Sequence, residues 1–209
     1  LIQSICCKID EYISIIKQVI SREGPLEHDG ELYQYPFKGE GSSGLGKSLK
    51  SILHSTSDLT IYTASITPAG LRCAGEVSDG VFPIWMNPDK FELIGQHVEE
   101  GFEKADTEKS YDNFDVAPFV PVAMGDVDFC TMAMKPMFAL YIGGMGAKSK
   151  NFYNDYAKRL GYEEAAVTIQ DLYLTGKKEE AVMAVPDALV DECALIGPPE
   201  RIKERLQSW

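Results

Sequence analysis

Basic residues are scarce in this 209-residue sequence, where 20 Lys and Arg stand against 32 Asp and Glu and the formal net charge is −12. Nucleic acids and anionic membrane surfaces are bound by basic faces, so this balance argues against both as partners. Long hydrophobic runs are also missing, because no stretch reaches the roughly 18 apolar residues that a transmembrane helix needs. No segment is therefore expected to cross a bilayer.

Cysteine and histidine are too few and too scattered to suggest a metal site. The five cysteines include one vicinal pair and lack metal-ligand spacing, and an odd number is a poor disulfide framework. We interpret them as reduced, mostly buried thiols, which predicts a cytoplasmic protein. The three histidines, His28, His54 and His97, stand apart from one another, and none is interpreted as catalytic or metal-binding.

The sequence is long enough for one domain with a substantial core, since 44% of its residues are hydrophobic. No internal repeat is evident and no linker divides it, so residues 1–209 are predicted to form a single domain. The sequence does not begin with Met, and it stops at Trp209 in or just after a predicted helix. We therefore expect this domain to be incomplete.

The most informative stretch runs from Ile61 to Met86 and reads as strand, turn, helix and strand. The β-branched and aromatic residues of Ile61–Ser65 predict the first strand. Thr67 is a suitable N-cap, and Pro68 suits the first helical position because its missing N–H costs nothing there. Asp79-Gly80 ends the helix, and Val81–Trp85 form the second strand. A crossover helix between two strands predicts that they are parallel.

Two turns in this stretch are candidate binding positions. Ser65, Ile66 and Thr67 follow a strand at its carboxyl end and open a helix, where unpaired N–H groups can hold a phosphate. The Thr67 hydroxyl could join the amides of Thr67, Ala69 and Gly70. Trp85, Met86 and Asn87 follow the next strand and should face the same mouth. Asn87 is also a plausible N-cap, and Trp85 suits either a pocket wall or the core.

Periodicity assigns the remaining elements. A turn at His28-Asp29-Gly30 with alternating Tyr33, Tyr35 and Phe37 predicts a short hairpin, then a loop over 38–48 and a helical turn over 49–54. A third strand is predicted over 114–124, where Pro118 and Pro121 each remove a ladder donor. Helices are predicted over about residues 5–22, 88–102, 127–142, 150–160, 163–175, 186–194 and 198–208.

Three parallel strands that alternate with helices, followed by a long helical region, define an α/β protein. Three such strands can neither close a barrel nor cover both faces of an ordinary sheet. The simplest interpretation is a partial (β/α)8 TIM barrel whose earlier strands precede Leu1.

One motif points to another function. Gly41–Ser48 matches the P-loop pattern G-x-x-x-x-G-K-[ST] letter for letter. A P-loop works only when a buried strand enters it and a long helix leaves it. Here a polar, proline-broken segment precedes the motif, and any helix after it ends by about His54. A flexible surface loop is the preferred interpretation, and nucleotide binding remains an alternative.

Several segments together resemble one family. The stretch from Ile61 to Trp85 resembles the strand–turn–helix–strand of luciferase-like monooxygenases, which carry Ala-Ala-x-Gly-Pro followed by Ala-Gly-x-x-x-Asp-Gly. The hairpin from His28 to Tyr33 is similar to another family hallmark. Leu140–Tyr162 and Val185–Lys203 resemble a subgroup that depends on the deazaflavin coenzyme F420. The similarity spans essentially this whole chain but only the middle and later parts of a family member.

The resemblance implies a (β/α)8 barrel that holds F420 or, alternatively, FMN at the carboxyl ends of its strands. Hydride would pass between coenzyme and a small organic substrate, or reduced flavin would activate oxygen. Ser65, Ile66 and Thr67 would bind the coenzyme phosphate, with Thr67 where the family often has Gly. Groups that meet the coenzyme ring would come from strands before Leu1, and the last strand would follow Trp209.

That placement leaves the catalytic residues unidentified, and we expect the isolated chain to be weakly active or inactive. Family members are commonly dimers, so a homodimer is expected. A non-catalytic flavin-binding partial barrel remains a further alternative.

Overall fold

The computed structural model describes residues 2–54 and 59–209 of the chain and, in the first helix, the side chains from Cys6 onward. The described residues form nine α-helices: α1 (Ile2–Ser21), α2 (Pro68–Val77), α3 (Glu92–Phe102), α4 (Val127–Gly144), α5 (Phe152–Arg159), α6 (Glu163–Leu174), α7 (Lys178–Met183), α8 (Asp187–Cys193) and α9 (Pro199–Leu206). A single 3₁₀ turn, Pro88–Lys90, precedes α3.

The strands are short. The hairpin strands β1 (His28–Asp29) and β2 (Gln34–Tyr35) are antiparallel. The others are parallel: β3 (Tyr62–Thr63), β4 (Gly80–Val81), β5 (Asp115–Val116), β6 (Val122–Met124) and β7 (Leu195–Gly197). In register, Tyr62 pairs with Gly80, and Gly80 in turn pairs with Asp115. The predicted hairpin and the predicted parallel pairing across α2 are both confirmed. The turn of the hairpin was predicted at His28-Asp29-Gly30, but His28–Asp29 form β1 and the turn lies between Asp29 and Gln34.

The third predicted strand, over 114–124, is present as two pieces. β5 pairs with β4, whereas β6 pairs with β7, and Pro118 and Pro121 lie between the two pieces. A parallel bridge between Ile84 and Phe119 continues the pairing through the gap. The prolines break the ladder as expected, because each lacks the N–H that a partner strand would accept.

Two details of the predicted element list are wrong. β7 is a fourth parallel segment, which was not predicted, and it lies between two helices. The short helix α7 adds one more element to the helical C-terminal region. Residues 49–54 contain no helical turn. β7 escaped prediction because it has only three residues and is buried throughout, so its side chains show no alternation of apolar and polar types.

The two faces of the parallel strands differ sharply. Val81 and Trp85 belong to the main core cluster with the helices and are fully buried. Alternate positions on the same strands are exposed, including Phe82, which contacts Phe119 at 6.3 Å between ring centroids. The exposed apolar side chains of these strands and their extensions are Tyr62, Phe82, Phe119, Val122 and Met124.

Helix α4 is apolar almost all round, yet it is buried on one side only. Phe138 and Ile142 are fully buried, but Phe129 is 74% exposed and Met132 and Leu140 are also exposed. Pro136 lies within the helix without ending it. In residues 2–54 and 59–209, no helix has both the length and the apolar character to span a membrane.

Candidate functional site

The turn after β3 is built by two hydroxyl side chains. The Thr67 Oγ1 accepts the backbone N–H of Gly70 at 3.1 Å, which makes Thr67 the N-cap of α2, with Pro68 following as predicted. The Ser65 Oγ accepts the N–H of Thr67 at 3.3 Å. Both side chains are half-buried, whereas Ile66 between them is buried. The turn is therefore a preformed loop whose polar side chains keep partial access to solvent.

The donors left free in this turn differ from those expected. The N–H groups of Gly70 and Thr67 are already used by the two hydroxyls. The N–H groups of Ile66 and Ala69 have no hydrogen-bond partner within residues 2–54 and 59–209. A Cβ atom at Gly70 would collide with the Ser65 hydroxyl, because the Ser65 side chain packs closely against the Gly70 backbone. The Ser65 and Thr67 hydroxyls also contact each other at 3.5 Å, so two free amides and one of the two hydroxyl protons remain available to an anion.

A cation lies behind the turn. Arg159, the last residue of α5, donates from Nη2 to the carbonyl oxygen of Ile66 at 2.6 Å. Its guanidinium carbon stands 5.1 Å from the centroid of the Tyr156 ring. Arg159 is 93 residues from Ile66 in sequence, and sequence reasoning did not identify it. The available signal was the Leu140–Tyr162 segment, which contains Arg159 and was noted only for its family resemblance.

The second predicted turn, after β4, is part of the core. Trp85 is fully buried, has a φ of 55° and stacks on Phe138 with ring centroids 4.5 Å apart. Its carbonyl oxygen accepts hydrogen bonds from the Tyr156 hydroxyl and the Cys193 thiol, each at 3.3 Å. Met86 is 6% exposed. This burial favours a structural role, so substrate contact by Trp85 and Met86 stays a prediction.

Asn87 is the predicted cap. Its Oδ1 accepts the N–H of Asp89 at 2.9 Å, and its Nδ2 donates to Glu192 at 2.9 Å. Glu192 also accepts hydrogen bonds from Lys90 at 3.1 Å and from the Tyr162 hydroxyl at 2.7 Å. Burial, together with this carboxylate, raises the pKa of Tyr162. The network joins the turn to α8, and 2% exposure of Asn87 leaves little room for a ligand.

The structural context of a P-loop is absent from the described part of the chain. Gly41–Ser48 follows the antiparallel hairpin rather than a buried parallel strand, and no helix occurs between Ser48 and His54. Gly41, Gly44 and Gly46 have positive φ, and most of the segment is exposed. The motif is a surface loop, as preferred from the sequence.

The part of the chain that the structure describes has two histidine–carboxylate contacts, and neither lies at the turn after β3. His28 lies 3.3 Å from Glu11, and His97 lies 3.4 Å from Glu100, which also binds Arg72. His54 contacts Arg22. Among residues 2–54 and 59–209, no group of three or more His, Cys, Asp or Glu could hold a metal ion.

The turn at Ser65–Thr67 therefore fits a phosphate group. It offers the free N–H groups of Ile66 and Ala69, two hydroxyls and a cation behind the Ile66 carbonyl, and it lies at the carboxyl end of a parallel strand.

A family model described as luciferase-like monooxygenase matches residues 8–209. The chain belongs to this family. Among curated relatives, "Putative coenzyme F420-dependent oxidoreductase Rv3520c" of Mycobacterium tuberculosis is 34% identical over 201 residues, covering 95% of this chain and 58% of that protein. The 5,10-methylenetetrahydromethanopterin reductase of Methanopyrus kandleri is 26% identical over 198 residues, covering 92% of this chain and 51% of that protein.

Two solved structures share the fold. The coenzyme F420-dependent tetrahydromethanopterin reductase of Methanopyrus kandleri superposes with a TM-score of 0.73 at 24% identity, over 97% of this chain and 54% of that one. An F420-dependent secondary alcohol dehydrogenase in complex with an F420-acetone adduct superposes with a TM-score of 0.61 at 13% identity, over 95% and 51%. The chain thus spans about half the length of the relatives that it matches.

Proposed function

We propose that this chain carries the coenzyme-phosphate site of an F420-dependent oxidoreductase that transfers a hydride between coenzyme and a small organic substrate. The observation that carries the proposal is the turn at Ser65–Thr67, with free amides at Ile66 and Ala69 and Arg159 behind it. Its position after a parallel strand is where α/β proteins bind ligands. The names of the relatives supply F420 as the coenzyme.

The sheet supports the proposal that the chain forms part of a (β/α)8 barrel. One face of the parallel strands packs on helices, while the other exposes Tyr62, Phe82, Phe119, Val122 and Met124. In a complete barrel these five side chains would point into the interior and would pack against side chains from the other strands. A face of exposed apolar side chains is better suited to the interior of a barrel than to a surface in contact with water.

The residues of this chain would bind and orient the coenzyme rather than react with it. Ile66 and Ala69 would donate backbone hydrogen bonds to the phosphate, and the hydroxyls of Ser65 and Thr67 would add side-chain contacts. The deazaflavin ring supplies the hydride chemistry when bound, as cofactors generally do. Burial of Trp85 behind the second turn would keep the strand ends rigid and exclude water.

Other features of the proposal rest on the family resemblance. FMN, with oxygen as a co-substrate of its reduced form, is the alternative to F420. Trp85, Met86 and Asn87 would approach the substrate through main-chain atoms, since their side chains are buried. We further propose a homodimer and a cytoplasmic location, the latter because all five cysteines are free. The 209-residue chain alone should show weak or no activity.

Titration of the full-length protein with F420 and with FMN tests the proposal. Thr67→Val removes the hydroxyl while keeping the side-chain shape, and it should weaken F420 binding by about 10-fold or more, as expected for a hydrogen bond to a charged group. Thr67→Ser is the matched control, because it keeps both the helix cap and the hydroxyl. The proposal fails if the full-length protein binds neither coenzyme, or if Thr67→Val binds F420 as tightly as the wild type.

A further inference from the structure

Arg159 occupies an unusual position for a charged residue. Its Nη2 is committed to the Ile66 carbonyl at 2.6 Å, and its guanidinium packs against the face of Tyr156. Its Nη1 is buried and has no hydrogen-bond partner among the described residues. A buried guanidinium N–H without an acceptor is costly, so a partner from outside this chain is expected.

The charge of Arg159 is also uncompensated. No carboxylate in residues 2–54 and 59–209 forms an ion pair with it, although Asp155 on the same helix is near enough to act through space. Burial lowers the pKa of the Arg159 guanidinium, against smaller opposing effects of Tyr156 and Asp155. Because a guanidinium stays protonated at neutral pH, the region behind the turn retains a positive charge.

The Ile66 carbonyl connects this charge to the binding face. The C=O of Ile66 and the N–H of Thr67 belong to one planar peptide group. A cation on the oxygen polarises that group and strengthens the Thr67 N–H as a donor to the Ser65 hydroxyl. The Ser65 O–H in turn becomes a stronger donor toward an anion, because hydrogen bonds in series reinforce one another. Arg159 can therefore affect an anion at the turn both through this peptide and by its own charge.

Helix α5 braces both strand-end turns. Arg159 bonds to the carbonyl of Ile66 after β3, and Tyr156, one turn earlier on the same helix, bonds to the carbonyl of Trp85 after β4. Both contacts reach from one helix to residues more than 70 positions away. A shift of α5 would therefore change the spacing of the two turns together.

We propose that Arg159 is the positioning residue of the coenzyme-phosphate turn, fixing the Ile66 carbonyl and supplying from behind the positive charge that the turn presents to the phosphate. This inference rests on the proposed function, because it presupposes that the turn binds a phosphate. It adds a residue outside the turn and a physical means by which that residue acts.

The test compares two ligands in the full-length protein: F420 and the same deazaflavin core without its phosphate-bearing tail. Arg159→Gln should weaken F420 binding by about 10-fold or more while changing the affinity for the tail-free core less than about twofold. Arg159→Lys keeps the charge and should retain most of the preference for F420. Lys158→Gln is the matched control and should leave both affinities unchanged, since the one ion pair of Lys158 among residues 2–54 and 59–209 is with Asp155, at 3.8 Å.

The outcomes separate this inference from the proposed function. If the wild-type protein binds the two ligands equally, the phosphate site itself is overturned. If the wild type prefers F420 but Arg159→Gln lowers both affinities by the same factor, Arg159 is merely structural and the inference fails while the site remains. Should Arg159→Gln fold poorly, loss of the F420 preference in a well-folded Arg159→Lys protein would equally overturn the role of charge.

Discussion

The α-carbon of Gly75 lies only 2.9 Å from the point that a Cβ atom at Gly101 would occupy. These glycines are where α2 and α3 cross, and each faces the backbone of the other helix. A side chain at either position would meet main-chain atoms that cannot rotate away, the carbonyl oxygen of Arg72 for Gly101 and that of Val98 for Gly75. The two helices that follow β3 and β4 are thus held in backbone contact.

Replacing Gly101 with Ala should lower the free energy of unfolding by about 3 kcal/mol. This is at the upper end of what overpacking costs, because the added methyl group would clash with main-chain atoms of α2. Urea denaturation measures the loss. Gly24→Ala is the control, since no atom lies within 4 Å of its Cβ position, and it should change stability by less than about 1 kcal/mol. Equal stability of the two variants would contradict the close crossing.

Asn154 should be essential for joining α4, α5 and α6. It is 2% exposed, and its Nδ2 donates to the carbonyl oxygens of Ile142 at 3.1 Å and Ala166 at 2.7 Å. Asn154→Ala leaves both carbonyls without this donor and should cost about 2–3 kcal/mol by thermal or urea unfolding. Exposed Gln96→Ala serves as control, and a similarly small effect of both substitutions would argue against the network.

The contact between Glu11 and the hairpin should respond to pH. Burial by itself raises the pKa of Glu11, but the N–H groups of Tyr33 and Leu32, the His28 ring and the N–H of Glu31 outweigh burial, so the pKa is lowered overall. A lowered folded-state pKa means that this stabilisation is complete above the unfolded value of about 4.3 and is lost as pH falls below it.

Amide hydrogen exchange across residues 28–35 measures this effect. Protection of the Tyr33 and Glu31 amides should fall as the pH drops below about 4.3, and Glu11→Gln should show reduced protection already at neutral pH. Glu23→Gln, at an exposed position, should leave the hairpin unchanged. A hairpin whose protection is independent of both pH and Glu11 would contradict the assignment.

The Trp85 side chain should stabilise the fold rather than contact the substrate. Trp85→Ala empties a fully buried site against Phe138 and should cost about 3–5 kcal/mol. Trp85→Phe keeps an aromatic ring and should cost less than half as much, with an unchanged KM for substrate in the full-length protein. A raised KM in a stable Trp85→Phe protein would instead show that the indole lines the pocket.

What the sequence determined is local. Thr67 and Pro68 cap α2, Asp79-Gly80 separates α2 from β4, and Pro118 and Pro121 interrupt the third strand, because each effect depends on backbone chemistry within a few residues. The parallel pairing of β3 and β4 follows from the crossover helix between them. The position of the turn at Ser65–Thr67 could therefore be predicted before any contact was known.

What only the tertiary structure decided depends on residues far apart in the chain. The sequence left Trp85 equally suited to a pocket or the core, and stacking on Phe138 placed it in the core. β7 is too short to have a pattern of its own and exists through its pairing with β6. The bond from Arg159 to Ile66 spans 93 residues and leaves no periodic trace, because a single guanidinium reaches its carbonyl only after α5 has packed against the strand ends.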